Sequence, residues 1–336
     1  MSSSVEKSPE SEALFNSQTI IYLGIAWAIL SVSLFVTGIV LPEIGDSQGY
    51  LIGTYVAECT PFIGAVILCY RNWRSPKIMS GRNVWLCLGL GILSYFIADL
   101  IFGFWEVYWG LDPEISPADF FYMAFYILLA CGMLLSVFSR RLNLEGWQWA
   151  TLSAIAAVGM ALAIWVVWAE PADSADFDGN GTDAIESISD AIAPLTSPVS
   201  AQPEPQSSDI AFPSARSVPP WVLSTEDYLL KFSTPVNFFY ILCDVALLII
   251  SVMLLLAFWG GAVSLSWRMI AAAALAKYVA DMWFKYAATL PTEYVSGGLL
   301  EVFFVFSGIL FAIGAALEYD ISSRPRKRRR KASDRP

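Results

Sequence analysis

The chain has 336 residues, of which 56% are apolar, 14% aromatic and only 15% charged, and its mean hydropathy is +0.57. Soluble domains are about 45–50% apolar and about 25% charged, so this excess calls for a hydrophobic surrounding. Histidine is absent, which excludes His-ligated haem or zinc, Ser-His and Cys-His nucleophile pairs and HExxH metalloprotease sites. Cys59, Cys69, Cys87, Cys131 and Cys243 all lie in apolar runs without a CxxC, so neither a disulfide framework nor a metal knuckle is indicated, and no cofactor is implied.

Residues 1–17 are polar and serine-rich, with Glu6, Glu10 and Glu12. A cleavable signal needs a basic start and a short apolar core, so this tail is expected to stay on the protein. Eight apolar runs follow, over about 19–41, 50–70, 83–105, 118–138, 148–168, 236–259, 267–288 and 297–318, each long enough to cross a bilayer. The expected fold is an all-α integral membrane protein. Its segments are a cytoplasmic tail (1–17), a first membrane repeat with an extra span (18–168), a loop (169–235), the remaining spans (236–320) and a basic tail (321–336).

The net charge of −10 is segregated. Arg71, Arg74, Lys77 and Arg82 separate spans two and three, Arg140 and Arg141 follow span four, and Arg268 opens span seven. The last thirteen residues hold eight of the twenty Lys and Arg. The alternate loops carry Glu43 and Asp46, then Glu106, Asp112 and Glu114, then Glu293, while residues 170–227 hold eleven acids against Arg216 alone. The positive-inside rule puts both termini in the cytoplasm and the long loop outside. Trp73, Trp85, Trp147, Trp149, Trp259 and Trp267 at cytoplasmic ends, and Trp105, Trp109, Trp165 and Trp168 at outer ends, read as interfacial belts.

The loop from Thr196 to Pro220 is rich in Ser, Pro, Ala and Gln, a composition that cannot bury a core of its own. Trp221–Phe232 reads as a short interfacial helix before span six. Asp176, Asp178 and Asn180 precede Gly181 with the spacing of the first half of an EF-hand loop, but Ser187 stands where the bidentate Glu belongs. A solvated acidic linker is the alternative to a weak calcium clip. The Arg326–Lys331 run reads as an anchor to anionic lipid rather than a nucleic-acid patch, because it follows span eight closely.

A shift of 182 residues superposes spans three and four on seven and eight, with 10 identities in 43 over 93–135. Asp99 then meets Asp281 and Asp119 meets Glu301, and four further residues of shift bring Glu58 to Asp244. The expected arrangement is two parallel four-helix repeats. An acid inside a span is costly by about 2.5–3.5 kcal/mol and marks function by default. At about 1.5 Å per residue, all six acids fall in the outer half and could share one polar layer.

Each pair also has a structural reading. Ser116, Pro117 and Asp119 suit a helix start, and Glu301 three residues after Gly298 reads the same way. Asp281 has Lys277 and Lys285 one turn away on either side, the spacing of intrahelical ion pairs. Asp99 has Tyr95 and Gly103 there instead. It must find a lysine across the repeat interface, bind a cation or ligand, or carry a proton.

Ser116-Pro117-Ala118-Asp119-Phe120-Phe121-Tyr122, with Tyr126, resembles the S-x-A-D-x-F-Y-x-x-x-Y stretch of a multi-span bacterial membrane domain. That domain commonly precedes diguanylate cyclase (GGDEF) modules, and sometimes phosphodiesterase or histidine kinase modules. Tyr240 and Asp244 are similar to its Y-P-x-x-D element, with Ile241 in place of the proline. Ala280-Asp281, Gly297 and Glu301 resemble its last pair of spans. The resemblance implies a sensor of a bacterial inner or other internal membrane. The loop 169–235 departs from it as an insertion, and sixteen residues after Asp320 leave no output module, so a separate signalling partner is expected. The function expected is therefore sensory or regulatory and non-enzymatic, with an outward-facing carboxylate-lined pocket. A cation transporter or channel and a membrane scaffold are the alternatives.

Overall fold

The computed structural model describes residues 16–111, 113–138, 145–168, 218–257, 264–287 and 296–323. The calcium candidates Asp176, Asp178 and Asn180, most of the two tails and most of the acidic loop lie outside the described residues. Eight long helices run through the described parts: α1 (Ser17–Val40), α2 (Gln48–Arg74), α3 (Arg82–Phe104), α4 (Ala118–Phe138), α5 (Gly146–Trp168), α6 (Ser233–Ala257), α7 (Ser264–Ala287) and α8 (Val302–Ser323). No strand occurs among the described residues. The helix over Pro220–Leu230 leads into α6.

Among the described residues, six helices are long and apolar enough to cross a membrane: α1, α2, α3 extended to Trp109, α4, α6, and α8 extended back to Leu299. The chain is thus an all-helical, multi-pass membrane protein. Helix α7 differs in sequence, because it carries Arg268, Lys277, Asp281 and Lys285.

Local chemistry sets several helix ends. The side chain of Asn16 accepts from the Gln18 N–H at α1, and Ser47 Oγ accepts from the Tyr50 N–H at α2, satisfying amides that the first turn leaves unpaired. Helix α3 passes into a π-helical turn over Trp105–Trp109, stopped by Gly110 at φ 67°.

Side-to-side packing makes a closed circuit: α2 lies against α3, α3 against α4, α4 against α6, α6 against α7, α7 against α8, and α8 against α2. Helix α1 lies outside the circuit on α8 and α2, and α5 lies outside it on α6 and α7. Accordingly α1 buries only Ser17, Ser31 and Phe35. Ile29, Ile63, Phe120, Phe138 and Leu242 point outward from the bundle, a surface suited to hydrocarbon rather than water. The main core draws Phe62 from α2, Leu88 and Ile92 from α3, Leu129 and Met133 from α4, Leu254 from α6, Ile270 from α7 and Phe311 from α8.

Two tryptophans expected in the interfacial belt are core residues instead. Trp85 of α3 and Trp267 of α7 are fully buried, with ring centroids 5.9 Å apart. Trp85 Nε1 donates to Ser80 Oγ at 2.7 Å, so its polar edge is satisfied inside the protein. Trp147 and Trp149 are exposed and remain compatible with a belt.

Glycine permits the closest helix approaches. A Cβ on Gly132 would lie 2.9 Å from the Leu88 side chain and 3.2 Å from its backbone N, at the α3–α4 contact. A Cβ on Gly314 would lie 2.7 Å from the Ile270 side chain and 3.1 Å from the Ser266 carbonyl oxygen, at the α7–α8 contact. Small residues that let backbones approach are a common device in membrane bundles.

Candidate functional site

The intramembrane acids gather toward the end of the bundle where α3 and α7 finish and α4 and α8 begin. They divide into two sides with different chemistry.

On the first side, carboxylates meet lysines. Lys277 pairs with Asp281 one turn later on α7. Its Nζ also sits over the rings of Phe304 and Tyr95, 4.6 and 4.8 Å from their centroids, an arrangement that favours an ammonium electrostatically. Lys285 does not close the second intrahelical pair. Its Nζ donates to Asp244 Oδ2 of α6 at 2.7 Å. The Tyr126 hydroxyl of α4 lies between the two aspartates, 2.7 Å from Asp244 Oδ1 and 2.9 Å from Asp281 Oδ2. A phenol has one proton to donate, so it can serve one carboxylate at a time. The sequence Lys285–Asp244–Tyr126–Asp281–Lys277 therefore ties α4, α6 and α7 together, with each aspartate matched by its own ammonium.

On the second side, carboxyls meet hydroxyls. Tyr95 of α3 donates to Glu58 Oε1 of α2 at 2.7 Å, and Tyr122 of α4 donates to Asp99 Oδ1 of α3 at 2.9 Å. Neither Lys277 nor Lys285 hydrogen-bonds Asp99. Asp99 is only 4% exposed, and its Oδ2 has no hydrogen-bond partner among the described residues. Tyr55 of α2 belongs to the same cluster and donates to Glu106 in the π-turn.

Asp119 and Glu301 play a different part. Asp119 Oδ2 accepts from the Ser116 N–H at 2.7 Å while Ser116 Oγ accepts from the Ala118 N–H at 3.2 Å, a reciprocal cap at the start of α4. Its other oxygen accepts from the Tyr240 hydroxyl at 2.5 Å, which links that cap to α6. Glu301 accepts from the Gly297 and Gly298 amides at 2.9 and 3.0 Å. These two carboxylates hold helix starts. The four that remain, Glu58, Asp99, Asp244 and Asp281, form the layer proper. Among the described residues, no three or more Asp, Glu or Cys side chains come together in a way that could hold a metal ion.

The tyrosines are what a reading of the acids alone passes over. Tyr95, Tyr122, Tyr126 and Tyr240 each donate to a carboxyl on another helix. Tyr95 and Tyr240 stand one turn before Asp99 and Asp244, a spacing that marks the polar face without revealing the partner. The acids of the layer also give no hint of a second polar cluster. Glu318, fully buried in α8, accepts from the Ser80 hydroxyl at 2.8 Å and the Ser80 amide at 3.3 Å, and Asn72 Nδ2 donates to the Ala315 carbonyl at 2.8 Å. These contacts tie the end of α2 and the α2–α3 turn to α8.

No family model, curated protein or solved structure matches this chain.

Proposed function

We propose that the protein is a non-enzymatic, eight-span membrane protein of sensory or regulatory type. Its termini lie in the cytoplasm, and its carboxylate layer lines a pocket that faces the opposite side. The segregation of basic from acidic loops supports this orientation. The sensory class rests on the likeness of the Ser116–Tyr126 stretch and its companions to the membrane domain that precedes diguanylate cyclase modules.

Two packing relations favour the duplication into parallel four-span halves. Trp85 and Trp267 are 182 residues apart, the shift that superposes the halves, and they touch each other. Equivalent residues meet across a two-fold axis only where they lie beside it. The Gly132–Leu88 contact likewise recurs, at the same shift, as Gly314–Ile270.

One observation carries the pocket: Asp99 is buried, and its Oδ2 is unpartnered among the described residues, on the side of the layer where carboxyls accept from hydroxyls and Lys277 acts only through its field. A buried carboxyl oxygen left unpaired is costly whether the group is charged or neutral, so a group from outside the chain would lower the energy of this side. Full-length protein reconstituted in vesicles should show tryptophan fluorescence that depends on the cation present on the pocket side. The double variant Glu58→Gln/Asp99→Asn should lose that dependence, and neither protein should carry cation flux above protein-free vesicles. Flux by the wild type that stops in the double variant would replace this reading with a transporter.

A further inference from the structure

The layer contains the same carboxyl pair twice, with and without built-in cations. Asp244 and Asp281 are the counterparts of Glu58 and Asp99 in the duplication. Asp244 holds the ammonium of Lys285, and Asp281 holds that of Lys277. At the shift of 182, Lys277 corresponds to Tyr95 and Lys285 to Gly103. The first half therefore keeps both acids and lacks both amines. The layer thus holds four carboxyls against two lysine ammoniums, each ammonium paired directly with an acid of the second half.

The surroundings of the two acids match those that hold Lys277. Lys277 Nζ is bound by one carboxylate and bordered by aromatic rings. Tyr55, Glu58, Asp99 and Tyr122 lie within electrostatic reach of one another, and Lys277 reaches both acids from α7 without hydrogen-bonding either. The ring of Tyr55 packs over Gly103, where a Cβ would come within 2.9 Å of it, so the position of the missing Lys285 counterpart is filled by an aromatic face. Asp99 Oδ2, on a residue more than nine-tenths buried and without a partner among the described residues, is an acceptor that an N–H donor would satisfy.

Resting on the pocket reading above, we propose that Glu58 and Asp99 bind a primary ammonium group, R–NH3+, for which Lys277 and Lys285 are the internal equivalents in the other half. A primary ammonium offers three N–H donors on a compact charge. Two can meet Asp99 Oδ2 and the Glu58 carboxylate, while the tyrosine rings face the carbon to which the nitrogen is bonded. A quaternary ammonium could use the rings but has no hydrogen for Oδ2.

Full-length protein in detergent would be melted in methylammonium chloride, with sodium, potassium and tetramethylammonium chlorides as references at equal ionic strength. Methylammonium should raise the unfolding midpoint in a saturable way, and the reference salts should not. In Asp99→Asn the concentration giving half of that shift should rise roughly 10- to 100-fold, the loss of a charged hydrogen bond. Glu58→Gln provides the same reading should Asp99→Asn fold poorly, with a rise of roughly tenfold or more. An equal, Asp99-dependent shift with sodium or potassium would overturn the ammonium assignment while leaving a cation pocket in place. An equal shift with tetramethylammonium would do the same, in favour of the rings. Absence of any salt-specific shift in the wild type would overturn both the ligand and the pocket.

Discussion

Lys285 on α7 donates to Asp244 Oδ2 on α6 at 2.7 Å, although Asp281 stands one turn before it on its own helix. Asp281 is already bound by Lys277 and faces Tyr126, so the second lysine serves the neighbouring helix. Asp244 is almost fully buried, and removing one partner of such a pair leaves the other uncompensated. Lys285→Met should therefore lower stability by about 3 kcal/mol. Adding Asp244→Asn should return part of that loss, and a thermal-melt double-mutant cycle would show the coupling. Strictly additive losses would mean that the pair contributes nothing as a pair.

Tyr126→Phe tests the hydroxyl between the aspartates. The ring is buried and packs with its centroid 5.6 Å from that of Tyr240, so the substitution keeps the packing and removes one donor. Stability should fall by about 1–3 kcal/mol, the cost of a buried acceptor left without its partner. Tyr240→Phe should cost less, because its bond to Asp119 is only partly buried whereas those of Tyr126 are fully buried. The order of the two melting temperatures decides the point.

The glycine contacts give a paired prediction. Gly132→Leu and Gly314→Leu should each destabilise by about 1–3 kcal/mol, since the new side chain would force apart α3 and α4, or α7 and α8. Gly64 is the control, because a Cβ added there would meet nothing within 4 Å. Gly64→Ala should be neutral or stabilising by about 0.4–1 kcal/mol, because the unfolded chain loses freedom. Melting temperatures of the three variants suffice. Similar losses at Gly132 and Gly314 are what the proposed duplication requires, and a large difference would count against it.

Single cysteines at Ser200 and Ser333, in a background without the five native cysteines, test the orientation. The first lies within the acidic loop and the second within the basic tail, so an impermeant thiol reagent should label Ser200→Cys in intact cells and Ser333→Cys only after lysis. Labelling of both in intact cells would overturn the assigned topology.

What the sequence discloses and what it hides divide along one physical line. Spacing along a helix is local, so the Ser116–Asp119 cap and the Lys277–Asp281 pair can be read from neighbours within a turn. The extents of the helices are legible for the same reason: apolar runs end where polar and basic residues begin. Azimuth is not local. Depth along a span suggests an interfacial place for Trp85 and Trp267, yet each faces inward and meets the other. Tyr122 and Tyr126 are one turn apart on α4, yet they serve opposite sides of the layer, Asp99 on one and Asp244 with Asp281 on the other. No periodicity assigns those partners, because they depend on which helices the bundle sets side by side.

Asp99 and Asp281, equivalent under the proposed duplication, should respond with opposite signs to the same substitution. Asp281→Asn removes the carboxylate that Lys277 binds and leaves a buried ammonium among ring faces, with Glu58 and Asp99 as its remaining electrostatic counter-charges. Losing the direct partner of a buried charge costs about 3 kcal/mol. Asp99→Asn breaks no ammonium hydrogen bond, although Asp99 lies within the field of Lys277. The amide oxygen can still accept from the Tyr122 hydroxyl, and the substitution relieves the repulsion between Asp99 and Glu58. In the absence of added amine, Asp99→Asn should therefore melt at or above the wild-type temperature, while Asp281→Asn melts well below it. Restoring Asp281→Asn with Lys277→Met should recover part of the loss, whereas Lys277→Met should worsen Asp99→Asn by leaving Asp281 with only the Tyr126 hydroxyl. If Asp99→Asn instead fell as far as Asp281→Asn, Asp99 would be acting as a structural counter-ion, and the asymmetry between the two sides of the layer would lose its functional meaning.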